Sequence, residues 1–515
     1  MLLHKTQKHG TIPSGIVPGG MAVSAMCAMG VSPMSEGIHG GDGRDRTGET
    51  PVSHAGRTPV SRCTVEDGCA MDAACRRLWL ERIMMSRHAP MYKWLSAGLQ
   101  GAALLALLCL TGCPRTEPET PTTGMPLQVN GVPVVRVLVE SGPSIRVGTS
   151  GSYRIFLDGR QVAASGSFLR ECELSRQGAQ WILGSARYAG TMLKIEARVE
   201  PWDLLRQGFH VSRSCVRIGN CYYRGAGVFL PDSARGIMAV NYVDIESYLA
   251  AVLPKELYAS WHPTTYQALA IIARTYAMYE IATTGRGKLF DVNDDQSSQC
   301  YGGFSAETDK SWRAVRSTHA MVLAWGPPGK EKIFSTKYSS CCGGITNNIY
   351  VMNGQFSSQG PMCGGVVCND CQNSTKFRWP AVAIPKDVVC RAAVKCYPNM
   401  TGLTALQTIV VEEVLGERPV WISLVSVNGQ KYRIRAEDLR LALLRDGDAR
   451  AKNLFSMNCT IRDQGNMIVF DNGHGFGHGV GLCQWGAEGK AQRGVSATQI
   501  LADYYPGAKL YKSAY

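Results

Sequence analysis

Short runs that alternate apolar and polar residues dominate the chain from residue 130 onward. Val134-Val-Arg-Val-Leu-Val-Glu140, Ser144-Ile-Arg-Val147 and Tyr153-Arg-Ile-Phe-Leu157 read as strands, and Asp158-Gly159 is a hairpin-turn signal. Similar runs separated by Gly or Ser continue through Met192-Leu-Lys-Ile-Glu-Ala-Arg-Val199 to Ile237-Met-Ala-Val240. The pattern changes at Val243-Asp-Ile-Glu-Ser-Tyr-Leu-Ala-Ala-Val-Leu-Pro254. Beyond His262-Pro263 the spacing predicts a helix with Tyr266, Leu269, Ala270, Ala273, Tyr276, Ala277 and Glu280 on one face. Pro263 suits its first turn and Gly285 its stop. Ser496 and Gln499 form a candidate capping box for a last helix that ends before Pro506-Gly507. Helices inserted among strands, without regular βαβ alternation, predict an α+β fold. A β-rich part spans residues 130–240 and a part bearing the chemistry spans 241–512, with no fixed-period repeat.

The residues before this domain have a different character. Met91-Tyr-Lys-Trp-Leu-Ser opens a segment in which Lys93 supplies a positive charge and Gly101 to Leu110 an apolar run too short to span a bilayer comfortably. The segment ends in Leu110-Thr111-Gly112-Cys113, which looks like a bacterial lipobox, where the Cys113 thiol is acylated and becomes the mature N-terminus. A buried helix would read alike up to Leu110, but it would not run directly into the Pro- and Thr-rich stretch 114–129, which reads as a tether. Residues 91–113 are therefore expected to be a lipoprotein leader and Cys113 a membrane anchor. Residues 1–90 lack sustained periodicity and precede that leader, so they are read as a mis-assigned or disordered extension, with Met91, Met84 or Met85 as the true start. Peptides from residues 1–83 in the native protein would refute this reading.

Composition narrows the class. With 45% hydrophobic and 18% charged residues, the 515-residue chain can bury more than one core and is not broadly disordered. A net charge of +13 favours an acidic partner without choosing among nucleic acid, anionic lipid and anionic wall polymer. No phosphate-binding loop or nucleic-acid module accompanies the charge, so nucleic acid is not expected. Thirteen cysteines follow Cys113, enough for disulfides in an oxidising envelope or for a metal site.

Two segments carry candidate chemistry. In the first, Glu256 follows an apolar stretch, just ahead of the predicted helix, where burial would raise its pKa and let it donate a proton to a glycosidic oxygen. A surface or capping carboxylate is the plain alternative. Arg274, within Gln267-Ala-Leu-Ala-Ile-Ile-Ala-Arg274-Thr-Tyr276, would hold a carboxylate or orient the Glu, with an internal ion pair an equal alternative. The second segment is Asp471-Asn-Gly-His474-Gly-Phe-Gly-His478-Gly-Val-Gly-Leu-Cys-Gln484-Trp485-Gly-Ala. Its five glycines between 473 and 481 allow close backbone approach, while His474, His478, Gln484 and Trp485 offer hydrogen bonds and a stacking face for a sugar. The two histidines would be spaced for zinc on a helix, which the glycines oppose. A Gly-rich packing turn with satisfied histidines is the remaining alternative.

Together these segments resemble the SpoIID/LytB family. The likeness rests on the Tyr-Leu…Val…Glu256 element, the Gln-Ala-Leu-Ala…Ala-Arg-Thr-Tyr helix and the closing Gly-Phe-Gly-His-Gly-Val-Gly…Gln-Trp-Gly-Ala signature, and covers roughly residues 130–512. Tyr338-Ser-Ser-Cys-Cys-Gly-Gly-Ile-Thr346 and Arg440-Leu-Ala-Leu443 resemble two further elements. The resemblance implies peptidoglycan as partner and lytic cleavage between MurNAc and GlcNAc, with Glu256 as single acid and base. A conventional glycosidase needs a second carboxylate, for which Asp291, Asp294 and Asp295 lie downstream. LytB-like relatives imply instead a non-catalytic amidase enhancer, with an amidase as partner. A lipid-anchored structural protein that has lost catalysis is a third reading. One departure stands out: Ser339 occupies a place where the family often has His, and Cys341-Cys342 precede the glycines. Some members bind zinc near that element. Here Cys342 with the Cys368-x-x-Cys371 pair, close to Cys363, would form a cysteine-dominated structural zinc site, or else disulfides.

Overall fold

The structure is a computed structural model that describes residues 128–129, 131–197 and 214–515. The expected extension 1–90, the leader 91–113 with its lipobox Cys113, and the tether up to residue 127 lie outside the described residues. Gln128–Val129, assigned to the tether, already pairs with Val132 and Pro133 as a short antiparallel strand. Among the described residues no helix is long and apolar enough to cross a membrane.

The alternating runs form strands as expected. Val132–Gly142, Ser144–Thr149, Tyr153–Leu157, Leu193–Ala197 and Gly236–Asp244 are all extended. Asp158 and Gly159 both take positive φ (47° and 83°), the geometry of a tight hairpin turn whose twist matches its strands. Two sheets result. In the eight-stranded sheet, Gly236–Asp244 lies between Val132–Gly142 and Ala226–Asp232, followed by Leu193–Ala197, Tyr153–Leu157 and Arg160–Ser165. Val292–Asn293 adds to it in parallel with Val132–Gly142. The six-stranded sheet centres on Ser144–Thr149, between Val216–Ile218 and Cys172–Gln177.

The last strand of the larger sheet runs straight into helix α1 (Ile245–Glu256), whose N-cap Asp244 accepts from the Ser247 N–H. This corrects the expected position of Glu256: it closes a helix and does not merely precede one. Pro254 falls in its last turn, where little helix remains for it to interrupt. Helix α2 (Pro263–Ala282) starts with Pro at its first position and a His262 cap. It is buried on nearly every side, including Ile271, Ile272 and Arg274 beside the predicted face, because α1, the sheet and α3 (Asp309–Ser317) surround it.

The described residues hold more than one core. The first runs from Val137, Trp181 and Phe229 of the sheets through α1 and α2 to Cys342, Cys368, Cys371, Cys483 and Tyr504. The second is built within residues 378–471: α4 (Lys386–Cys396) and α5 (Ala436–Asp446) cover Leu406–Leu415, Arg418–Ser426 and Lys431–Arg435 around Ile384, Leu424, Leu439 and Phe470. Phe476 of the Gly-rich segment packs against both cores. The closing helices are α6 (Gln484–Gln492) and α7 (Ala497–Tyr504). Ser496 caps α7 through the Gln499 N–H, but the Gln499 side chain turns to Asp503, so the capping box is half formed.

Candidate functional site

Glu256 ends α1 fully buried. One carboxylate oxygen accepts from the backbone N–H of Cys300 at 2.9 Å, and its carbonyl accepts from Gln484 Nε2 at 3.1 Å. The sequence therefore folds three distant segments onto one residue. Around it, the Tyr248 hydroxyl donates to Gln299, and Gln299 donates to the Tyr338 oxygen, both at 3.2 Å. Burial, with the Glu256 carboxylate contributing, pushes both phenols far up, so they stay protonated. Ser339 Oγ and Gln484 Oε1 are fully buried and have no hydrogen-bond partner among the described residues.

The chain beyond Glu256 turns outward into an aromatic wall. Tyr258 is 47% exposed, and its ring lies 5.2 Å from Trp261 and 5.9 Å from Trp485, with the two tryptophans 5.1 Å apart edge to face. Sequence reasoning found Trp485 and missed Tyr258 and Trp261, which stand within five residues of Glu256 and were legible as aromatics at a helix exit. A cleft of about 390 Å³ continues from Trp485 along α6 between Gln492 and the amides Asn369, Gln372 and Asn373. Glu488 anchors this helix to α2: its carboxylate accepts from the His262 N–H at 2.9 Å and the Thr265 hydroxyl at 2.7 Å.

The remaining predicted residues lie elsewhere. Arg274 is fully buried and paired with Glu246 at 2.6 Å, with further bonds to the Met321 and Ala270 carbonyls. The internal ion pair is thus the arrangement present, and the guanidinium is closed off from solvent. His478, at 1% exposure, accepts from the Val480 N–H through Nδ1, and burial pushes its pKa down to about 3. It packs near Glu437, Arg418 and Arg440, so it does not line a cleft; the reading of a satisfied histidine in a packing turn fits it. His474 is half-buried beside Arg378, 3.3 Å from its guanidinium, and its pKa is lowered by burial and then by that cation. Asp291 is committed to Arg136 at 2.5 Å. Burial, and then Asp295, raises Asp294 to about 7. Arg440, from the Arg-Leu-Ala-Leu element, is buried in a 2.5 Å pair with Glu437.

The cysteines converge further than expected. The Sγ atoms of Cys342, Cys368 and Cys371 lie together with that of Cys483, all within 4.8 Å of one another and all buried. Cys363 stands apart, half-buried, its thiol on the Gly364 carbonyl. Cys483 escaped notice because it sits inside the Gly-rich signature. Parallel pairing of Tyr338-Ser339 with Leu482-Cys483 brings it across.

Known proteins are similar to this chain over about half of its length. The SpoIID family model, described as Stage II sporulation protein, matches residues 233–325, which contain α1, Glu256 and α2. An uncharacterized protein of Brachyspira hyodysenteriae is 29% identical over 289 residues, covering 56% of this chain and 72% of its own length. Stage II sporulation protein D of Bacillus subtilis is 24% identical, covering 56% of this chain and 80% of that protein. The amidase enhancer of Bacillus subtilis is 25% identical over 51% of this chain and 40% of its own length. The chain is thus similar to the SpoIID family model over residues 233–325 and, over about half of its length, to a Stage II sporulation protein D and an amidase enhancer.

Proposed function

We propose that this protein is an envelope lipoprotein, anchored through Cys113, that cleaves peptidoglycan glycan strands between MurNAc and GlcNAc as a lytic transglycosylase. The likeness to the SpoIID family supports a peptidoglycan-related role. The observation that carries the enzymatic reading is the convergence of α1, the Gln299-Cys300 segment and Gln484 on Glu256, whose carboxylate accepts from the Cys300 N–H and whose backbone carbonyl accepts from Gln484, with the aromatic residues Tyr258 and Trp261 following within five positions. Tyr258 and the half-buried Trp485, backed by the buried Trp261, would supply a stacking surface for pyranose rings. Glu256, in its acid form, would give its proton to the O4 leaving oxygen as the C1–O4 bond breaks. The resulting carboxylate takes the proton from the MurNAc 6-hydroxyl as O6 bonds to C1. The acid is regenerated, no water is consumed and a 1,6-anhydro ring forms. Because Asp291 is tied to Arg136, it offers no second carboxylate for hydrolysis.

One observation favours a second reading. Glu256 is closed off from solvent, which suits a wall-binding amidase enhancer that cleaves nothing. Mass spectrometry of purified glycan strands, with and without stem peptides, separates the two after incubation with wild type and Glu256→Gln. Anhydro-MurNAc products from the wild type alone, at least 100-fold above the variant, are expected. Reducing-end products would indicate a hydrolase, and retained glycan binding without cleavage would establish the enhancer reading.

A further inference from the structure

We propose that Cys342, Cys368, Cys371 and Cys483 bind a structural zinc ion, and that Cys483, inside the closing Gly-rich signature, is its fourth ligand. The geometry comes first. A zinc–sulfur bond of about 2.3 Å in a tetrahedron puts neighbouring sulfurs about 3.8 Å apart. Cys342 Sγ and Cys371 Sγ are 3.8 Å apart, and the four thiols lie within 4.8 Å of one another. A disulfide would need about 2.05 Å, and all four cysteines are free in this structure. Cys341 is also buried, but its thiol turns to the Cys371 carbonyl, 3.8 Å away, and it is not one of the four.

The surroundings fit thiolates. Cys483 Sγ accepts from the backbone N–H groups of Cys342 at 3.3 Å and Gly486 at 3.4 Å. It is the N-cap of α6, where the helix dipole favours negative charge. The Tyr504 hydroxyl lies 2.9 Å from Cys368 Sγ, placed to donate to a thiolate there. Such hydrogen bonds to ligand sulfurs accompany closed metal sites. A side chain at Gly486 would collide with Cys368 Sγ and the Tyr504 hydroxyl, so glycine there lets α6 approach the cluster.

Four protein ligands and full burial leave no open position for substrate or water, which makes the centre structural and not catalytic. Its effect is to join three segments that the chain keeps far apart: the turn at Cys342, the 3₁₀ turn at Asn369–Cys371 and the start of α6. Gln484, the next residue after Cys483, holds the carbonyl of Glu256. The ion therefore fixes the register of α6 against the end of α1 whether or not Glu256 is catalytic.

The test is metal analysis of the intact purified protein, with Cys483→Ser and Cys363→Ser, together with X-ray absorption on the wild type. About one zinc per chain is expected in wild type and Cys363→Ser, and at least a tenfold loss of retained zinc in Cys483→Ser after dialysis against a chelator. Because Cys483→Ser can misfold, the absorption spectrum decides independently: four sulfurs at about 2.3 Å support the proposal. Three sulfurs with a nitrogen or oxygen would remove Cys483 from the set. Stoichiometric iron, or a metal-free protein whose peptide map shows disulfides among these cysteines, would overturn the zinc centre. None of these results depends on glycan cleavage.

Discussion

Two buried polar knots grip the closing Gly-rich segment, one near each end, and they are built on opposite principles. At His478, Arg418 donates to the Gly477 carbonyl and faces Glu437, which also pairs with Arg440. This knot carries its counter-charge within the protein: burial works against the Glu437 carboxylate, but Arg440 and Arg418 outweigh it and hold it below the usual range. At Cys483, five residues on, four like ligand atoms face one another with no carboxylate or cation among them. The first knot is held by ion pairs that folding alone assembles. The second acquires full strength only when a cation arrives, if the zinc proposal holds. Between them the backbone passes through Gly479 and Gly481 at positive φ, where a side chain at Gly481 would strike the Lys337 carbonyl.

The sharpest way to break the comparison is to remove the internal counter-charge. Glu437→Gln leaves Arg418 and Arg440 buried without a carboxylate. Breaking a buried pair in this way costs about 3–5 kcal/mol. Chemical denaturation should register that loss, and hydrogen exchange should place it in the 473–481 backbone, while zinc content stays at the wild-type level. Loss of zinc together with the ion pairs would mean the two knots are one cooperative unit.

A smaller, pH-dependent effect follows from His478. Its folded pKa of about 3 lies below the unfolded value near 6.5, so the folded state holds the neutral ring. The stability this lends is full above pH 6.5 and is lost as pH falls toward the folded value, at about 1.4 kcal/mol per pH unit. His478→Asn keeps an acceptor for the Val480 N–H and cannot protonate. Stability measured from pH 7 down to 4 should fall more steeply for the wild type than for this variant. Taking the difference between the two cancels proton competition at the thiols. Equal slopes would show that His478 is solvated in the native state.

Much of the fold was legible because its signals are local. Strand alternation, the Asp158-Gly159 turn and the Pro263 start of α2 each depend on a few neighbouring residues. Helix α1 went unread because its near-continuous apolar run, buried at almost every position, gives no one-sided helical spacing. The second core went unread because its apolar runs carry no boundary marker of their own. Glu256, Gln484 and Trp485 were found together through the motifs they share. For Arg274 and His478 the sequence left a binding role and an internal one open, because the same residue types serve both, and their burial and partners show the internal arrangement. Three of the four clustered cysteines stood close enough in sequence to suggest a site. The fourth needed the strand pairing that carries Cys483 to Ser339.

The smallest effect is also the most discriminating test of the cysteine knot. Tyr504 is buried at 1% exposure, and its hydroxyl meets Cys368 Sγ at 2.9 Å. Tyr504→Phe removes one oxygen, leaves the ring's packing in place and should cost only about 1 kcal/mol of stability. If Cys368 is an uncharged thiol, that is the whole consequence. If it is a zinc-bound thiolate, the lost donor also raises the charge left on the sulfur, and zinc affinity measured by chelator competition should fall about 10- to 100-fold. The same substitution thus yields one number that both accounts share and one that only a metal centre changes. A loss of stability with unaltered chelator competition would return the cluster to a packing of thiols, and the His478 knot would then be the stronger hold on the closing segment.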